Sequence, residues 1–150
     1  MKTCGIFAAV FLVLLGACKK DKVSNPQNSL EGQWKLVTVK DKSTGSSYSS
    51  PTGSSRDIII NFKANSFSGQ TLRNSFSDGS YTLLNGSDVT FGSFNMTKIA
   101  EDEWGGMFIT VLHACYLQSV LPCRPSKISL QGNNLTIESP LRYDLTLIRN

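Results

Sequence analysis

The four cysteines and the single histidine are the side chains of this chain with the most distinctive chemistry. Cys18 ends the run Leu15-Gly16-Ala17-Cys18, which follows an apolar stretch from Ile6 to Leu15 and a positive residue, Lys2. A short positive region, an apolar stretch and small residues just before a cysteine resemble a lipobox, where a lipoprotein signal peptidase cuts. The chemistry expected there is cleavage before Cys18 and acylation of that residue on its sulfur and its amine. A membrane-spanning helix needs about 20 apolar residues, roughly twice this run. An ordinary cleaved signal needs no cysteine at the cut. Lipid anchoring is physically sound, because each buried methylene contributes about 0.8 kcal/mol and several acyl chains hold a soluble domain on a bilayer.

Cys4 leaves with the leader, so Cys115 and Cys123 remain as an even pair in an oxidising compartment. A disulfide closing this short loop is the preferred reading. Only His113 lies near them, and no further Cys or His completes a tetrahedral metal set. The spacing is not Cys-x-x-Cys, so a redox-active pair is disfavoured. As the only histidine, His113 also lacks the supporting groups of a hydrolase triad. Glu101, Asp102 and Glu103 cluster, and acids at the positive end of a helix dipole account for them. There is no Walker-type phosphate loop, and Gly105-Gly106 is not one. No catalytic residue, no cofactor and no metal site are expected. Trp34 and Trp104 either line a ligand pocket or pack the core, as large aromatics commonly do. The Asn-x-Ser/Thr sequons at Asn85, Asn95 and Asn134 matter only in a eukaryotic secretory path, which the bacterial lipobox excludes.

Charge narrows the partners. The formal net charge is +4, of which the leader carries only Lys2, leaving +3 on the mature chain. Lys19, Lys20 and Lys22 sit beside the anchor, where they favour anionic head groups. The remainder is near neutral, without the basic face that a nucleic-acid binder needs, so no nucleic-acid partner is expected. The organisation expected is a lipoprotein signal peptide over 1–17, a lipidated flexible tether over 18–29 with Pro26, and one domain over 30–150.

That domain reads as a succession of short strands. Trp34, Leu36, Val37 and Val39 show partial alternation and predict a first strand. Asp41 to Ser55, rich in Ser, Gly and Thr, predicts a long mobile loop, either a binding lid or a plain solvated connection. Strands follow at Asp57–Phe62, Asn65–Gln70, Ser80–Leu84 and Asp88–Phe91, with Asn85-Gly86 as a hairpin signal. Trp104, Phe108, Val111, Leu112 and Cys115 fall at helical spacing, predicting one amphipathic helix from Asp102 to Leu117. Its first turn is weakened by Gly105-Gly106 at about 1 kcal/mol per glycine. Strands at Lys127–Leu130, Leu135–Ile137 and Tyr143–Ile148 close the chain. The fold class expected is mainly β (α+β): a small antiparallel partial barrel with one amphipathic helix packed against it.

The order of motifs resembles the META domain, or HslJ-like, family. Leu30-Glu31-Gly32-Gln33-Trp34-Lys35-Leu36 is similar to its opening Gly-x-Trp-x-Leu strand. Ile60-Asn61-Phe62, Phe67-Ser68-Gly69, Asn74 and Gly79-Ser80-Tyr81 resemble its Phe…Gly…Asn…Gly-x-Tyr core. Phe91-Gly92 through Met96-Thr97-Lys98-Ile99-Ala100, then Gly132–Ile137 and Leu145–Arg149, resemble the rest, so the match spans Leu30 to Arg149. The resemblance implies a conical partial barrel with one helix, and association with envelope stress, drug tolerance and secretion-related phenotypes. It supplies no catalytic residues and no general ligand. Where many members have Gly-Cys-Asn this chain has Leu72-Arg73-Asn74, and where many have a second cysteine it has Glu101. An ion pair between Arg73 and Glu101 in place of a family disulfide is the resulting expectation, contributing at most about 1 kcal/mol at a surface.

The function expected is a non-enzymatic binding or interaction module held on the bacterial cell envelope through Cys18. Its partner would be an unidentified envelope protein. Lys19 is not the aspartate associated with inner-membrane retention, which favours the outer membrane, on either face. The alternative is a carrier of a small apolar ligand inside the barrel, and the sequence leaves open whether that interior is hollow.

Overall fold

The computed structural model describes residues 29–150. The leader, Cys18 and the tether up to residue 28 lie outside the described residues. Ten strands and two helices follow in order: β1 (Gly32–Asp41), β2 (Ser47–Ser49), β3 (Ile59–Lys63), β4 (Ser66–Gln70), β5 (Ser75–Leu84), β6 (Asp88–Phe91), β7 (Asn95–Met96), α1 (Glu103–Leu112), α2 (Ala114–Gln118), β8 (Ser126–Gln131), β9 (Asn134–Glu138) and β10 (Tyr143–Arg149).

Eight of the strands form a closed antiparallel barrel in the order β1-β3-β4-β5-β6-β8-β9-β10. The ring closes by pairing β1 with β10, from Trp34 opposite Arg149 to Asp41 opposite Tyr143. The barrel is thus complete rather than partial. β2 adds to the edge of β1 and β7 pairs with β5. Between Leu36 and Thr38 the register slips by one residue. Such a bulge bends a strand and shifts its inward phase. Trp34 and Leu36 therefore face inward before it, and Val39 and Asp41 after it. This phase change is why the alternation in the sequence is only partial.

The interior is filled. Trp34, Val39, Ile60, Leu135, Ile137, Leu145 and Leu147 are wholly buried, and Leu36 and Phe62 nearly so. An aromatic cluster continues this core. Phe62 meets Tyr81 edge-on at 5.3 Å between centroids, and Phe67 meets Phe91 at 5.6 Å. Phe67 lies so close over Gly79 that a Cβ there would come within 2.5 Å of its ring. Only glycine permits that approach across the sheet. The β5–β6 turn holds Asn85 and Gly86 at φ of 52° and 73°, the positive values that the dipeptide favours.

Two segments differ from the sequence expectation. Asp41–Ser55 is not one open loop. The chain reverses at once, with the Asp41 N–H donating to the Ser46 carbonyl at 2.8 Å, and β2 sets Tyr48 opposite Val39. The single helix expected from Asp102 to Leu117 is two, broken at His113, whose N–H still donates to the Ile109 carbonyl while its backbone leaves helical geometry. Its ring stacks on Phe94 at 4.5 Å between centroids. α1 packs on the barrel, burying Phe108, Val111 and Leu112 completely.

Asp41 is almost fully buried at the end of β1. Its carboxylate accepts Arg142 Nε–H at 2.9 Å, together with the Ser43 N–H and hydroxyl at 2.9 and 2.7 Å. The Arg142 guanidinium, chiefly, holds this carboxyl far below the usual carboxylate range. A group whose acidity is raised by folding stabilises the fold above its unfolded pKa, and that contribution fades as pH falls below about 4. Asp41→Asn is expected to lower the urea midpoint at neutral pH, with the two proteins converging toward about pH 2. A constant gap across that range in denaturation curves would contradict this.

Candidate functional site

The barrel end at which β1 finishes carries the most elaborated polar structure. Asp102 has extended backbone and caps α1, its Oδ1 accepting from the Gly105 N–H at 2.8 Å, with Glu103 in the first turn. Such a cap satisfies one of the unpaired donors of a helix start. Two of the three clustered acids thus serve the helix terminus.

Glu101 does something else. It turns inward and accepts from the Thr71 hydroxyl at 2.6 Å and from the Asn74 side-chain amide. Asn74, fully buried, is the centre of this cluster. Its amide donates to the Ile99 carbonyl at 2.7 Å, and its Oδ1 accepts from Thr97 Oγ1 and Ile99 N–H at 2.8 and 2.9 Å. The Asn74 N–H in turn donates to Thr71 Oγ1 at 2.8 Å. These bonds fasten the 71–74 turn to the strand leading into α1. Gly105 is part of the design: a Cβ there would fall 2.0 Å from Glu101 Oε2. The glycine that weakens the helix intrinsically makes room for the carboxylate.

The expected Arg73–Glu101 ion pair is therefore not formed. Arg73 instead sits 3.7 Å from Asp102 Oδ2 and donates to the Ala100 carbonyl at 3.3 Å, while the Glu101 carboxylate is turned inward to Thr71 and Asn74.

Beside this cluster lies a cleft of about 520 Å³. Trp104 and Met107 of α1 and Leu72 form an apolar side, and Tyr48 and Pro51 face them from the β1–β3 connection. Arg56 and Arg73 lie at its margin, with Asp102 and Glu103 on the helix side. Arg56 is steadied by donating to Gln70 Oε1 at 3.1 Å. The volume is that of an ordinary small-molecule site. Trp104 is buried, yet its Nε1–H has no acceptor among the described residues. An unpaired buried donor costs about 1–3 kcal/mol, so this one is notable beside the cleft. Trp34 is the contrast: wholly buried, its Nε1–H donates to the Leu30 carbonyl at 2.8 Å, and it belongs to the core.

Cys115 and Cys123 are joined in a disulfide, with Cα atoms 5.2 Å apart. His113, at the helix break, is half-buried, and burial pushes its pKa below the usual histidine value. It lies away from the cleft, in an apolar groove of about 400 Å³ with Phe94, Leu112, Tyr116 and Leu121. Among the described residues no group of three or more His, Cys, Asp or Glu is arranged to hold a metal ion.

Sequence reasoning missed Thr71 and the inward turn of Glu101, and marked Asn74 only as part of a motif, without its role at the centre of the cluster. A Thr and an Asn three positions apart, before a strand, carry the signature of a side-chain-bonded turn, which was the available signal. Tyr48 was concealed in the segment Asp41–Ser55, read as a long loop, and Arg56 stands just beyond it, outside the next expected strand.

Neither a family model nor a curated protein matches the sequence. Among solved structures, the chain is similar in fold to the NMR structure of a protein from Burkholderia xenovorans, with a TM-score of 0.57 and 18% identity over 80% of this chain and 82% of that one. At that identity the likeness extends to the fold alone.

Asn74→Ala would strip partners from Thr97, Ile99 and Glu101 at once, and is expected to cost about 3 kcal/mol in denaturant unfolding. A loss under about 1 kcal/mol would mean that water replaces the side chain.

Proposed function

We propose that this chain is an envelope lipoprotein with a META/HslJ-like domain, anchored through Cys18, that acts as a binding module and not as an enzyme. The cleft at the start of α1 is its site. The ligand class is a small molecule with a flat or aliphatic body and an acidic group. The body fits between Trp104, Met107 and Tyr48, and the acidic group meets Arg56 and Arg73. The single observation that carries this reading is Trp104 in the wall of a cleft of small-molecule size, its buried indole N–H without an acceptor among the described residues. Asp102 caps the helix, and Glu101 Oε1 is bonded to Thr71 and Asn74 while its buried Oε2 has no partner among the described residues. That arrangement supports binding over turnover. Because side chains fill the barrel, the carrier reading moves from the interior to this external cleft. Lys19 directly after Cys18 supports the outer membrane as its location.

Two measurements test these parts separately. Intact mass of the protein purified from envelopes is expected to carry three acyl chains' worth of lipid on a chain beginning at Cys18; an unmodified full-length mass would refute the anchor. Titration with 2-naphthoate is expected to move the Trp104 indole resonance, with Arg56→Ala plus Arg73→Ala weakening binding about tenfold, as loss of a charge-assisted contact does. An indole resonance unmoved by saturating naphthoate, with no small-molecule adduct in native mass spectrometry, would overturn the cleft as the site.

A further inference from the structure

A second surface, apart from the cleft, has different chemistry. α2 and the chain from it to β8 project exposed side chains: Tyr116 is 82% exposed and Leu117 49% on α2, and Val120 53% and Leu121 98% beyond it. Isolated exposed leucines are common, but a contiguous cluster at this level marks an interaction surface. The loop is held in place rather than loose. The Cys115–Cys123 disulfide closes its base. Gln118 spans it, donating to the carbonyls of Ala114 and Arg124 at 3.1 and 2.9 Å and accepting from the Arg124 N–H at 2.9 Å. Ser119 turns the chain in the left-handed region.

Charge selects the occupant. From Trp104 to Ile137 the sequence contains no Asp or Glu. Arg124 is exposed at the base of the loop, without an ion pair among the described residues. Lys127, just beyond, is 70% exposed and pairs with Asp88 at 3.1 Å. A narrow aliphatic tip, an aromatic ring with a polar hydroxyl and a basic residue at the base is the composition of a segment that enters a membrane interface: apolar groups below the head groups, phenol and guanidinium at their level.

We propose that the loop from Tyr116 to Arg124 is a membrane contact separate from any lipid anchor, seating Val120 and Leu121 in an anionic phospholipid bilayer. It reaches a membrane to which Cys18 is tethered. β8 starts beside the β5–β6 turn, with Ser126 opposite Val89 and the Ile128 N–H donating to the Ser87 carbonyl, and Ile128 lines a small cavity with Leu30, so the base of the loop lies toward the end of the domain where the tether joins. β1 has ten residues and, tilted as barrel strands are, spans about 25 Å of height. Twelve residues from Cys18 to Ser29 reach at most roughly 40 Å.

The test uses the full chain as purified from envelopes, reconstituted in phosphatidylglycerol-containing vesicles, with Leu121→Trp as reporter and the parent protein as the baseline for Trp34 and Trp104. Because Leu121 is solvated, this substitution leaves the fold unperturbed. Expected is about twofold quenching of the added emission by brominated phospholipid, shielding from aqueous iodide, and loss of both on adding Arg124→Glu with Val120→Asp. Full iodide access without bromolipid quenching would overturn the inference. Shielding from iodide without bromolipid quenching would also overturn it, in favour of a protein on this surface. Lipid on Cys18 is read independently from intact mass, so failure of the anchor and failure of the loop contact are distinguished.

Discussion

Everything in this molecule depends on the pairing of its first strand with its last. β1 cannot bury Trp34, Leu36 and Val39 until β10 arrives more than a hundred residues later with Leu145 and Leu147. Until then both strands present open edges, which invite pairing with other chains. Closing a ring removes that hazard, but the contact is among the most non-local a chain of this length can make, and such contacts form slowly. The Asp41–Arg142 pair stands at the end of this seam. It joins the residue that ends β1 to the one preceding β10 and fixes their register by charge. The bulge at Val37 is the geometric counterpart, letting one ten-residue strand serve β3 with its first half and β2 with its second.

A closed barrel this small has no room for a ligand once its aromatic and branched side chains are in place. Specialisation is therefore pushed to the ends, where the backbone leaves the sheet. At the helix end the solution is a polar cluster around Asn74, which substitutes hydrogen bonds for the sheet ladder that has stopped. Its members fall on the 71–74 turn and on the segment from Thr97 to Glu101. With that junction fixed, α1 starts at a defined place, and Trp104 and Met107 are set against Tyr48 and Pro51.

The strands were largely legible in the sequence because their signals are local. Asn85-Gly86 marks a hairpin whatever the tertiary setting, and Leu145 and Leu147 alternate because one face of β10 is wet. Barrel closure was not legible, since no local pattern states which strands are neighbours. The break at His113 was hidden for a related reason: helical spacing continues through Cys115, while the interruption comes with the ring stacked on Phe94 from another element. Arg73 and Glu101 illustrate the limit for polar residues. Opposite charges at two related positions invited an ion pair, yet the nearby hydroxyl of Thr71 and amide of Asn74 captured the carboxylate first. Hydrogen-bond competition of this kind depends on distances of a few tenths of an ångström, which composition and order do not encode.

The two surfaces proposed to act in binding lie at opposite ends of one helix. α1 has ten residues, so its length is about 15 Å. Its start forms the wall of the cleft, and its end leads through His113 into α2 and the stapled loop. A loop seated in a bilayer would hold the cleft within about that distance of the head groups. The ligand class read from Arg56, Arg73 and Trp104 and the membrane read from Leu121 and Arg124 rest on different residues. The element between them has its face of Phe108, Val111 and Leu112 buried against the barrel. Neither surface can shift against the other without disturbing that packing, so their relative placement is a property of the fold.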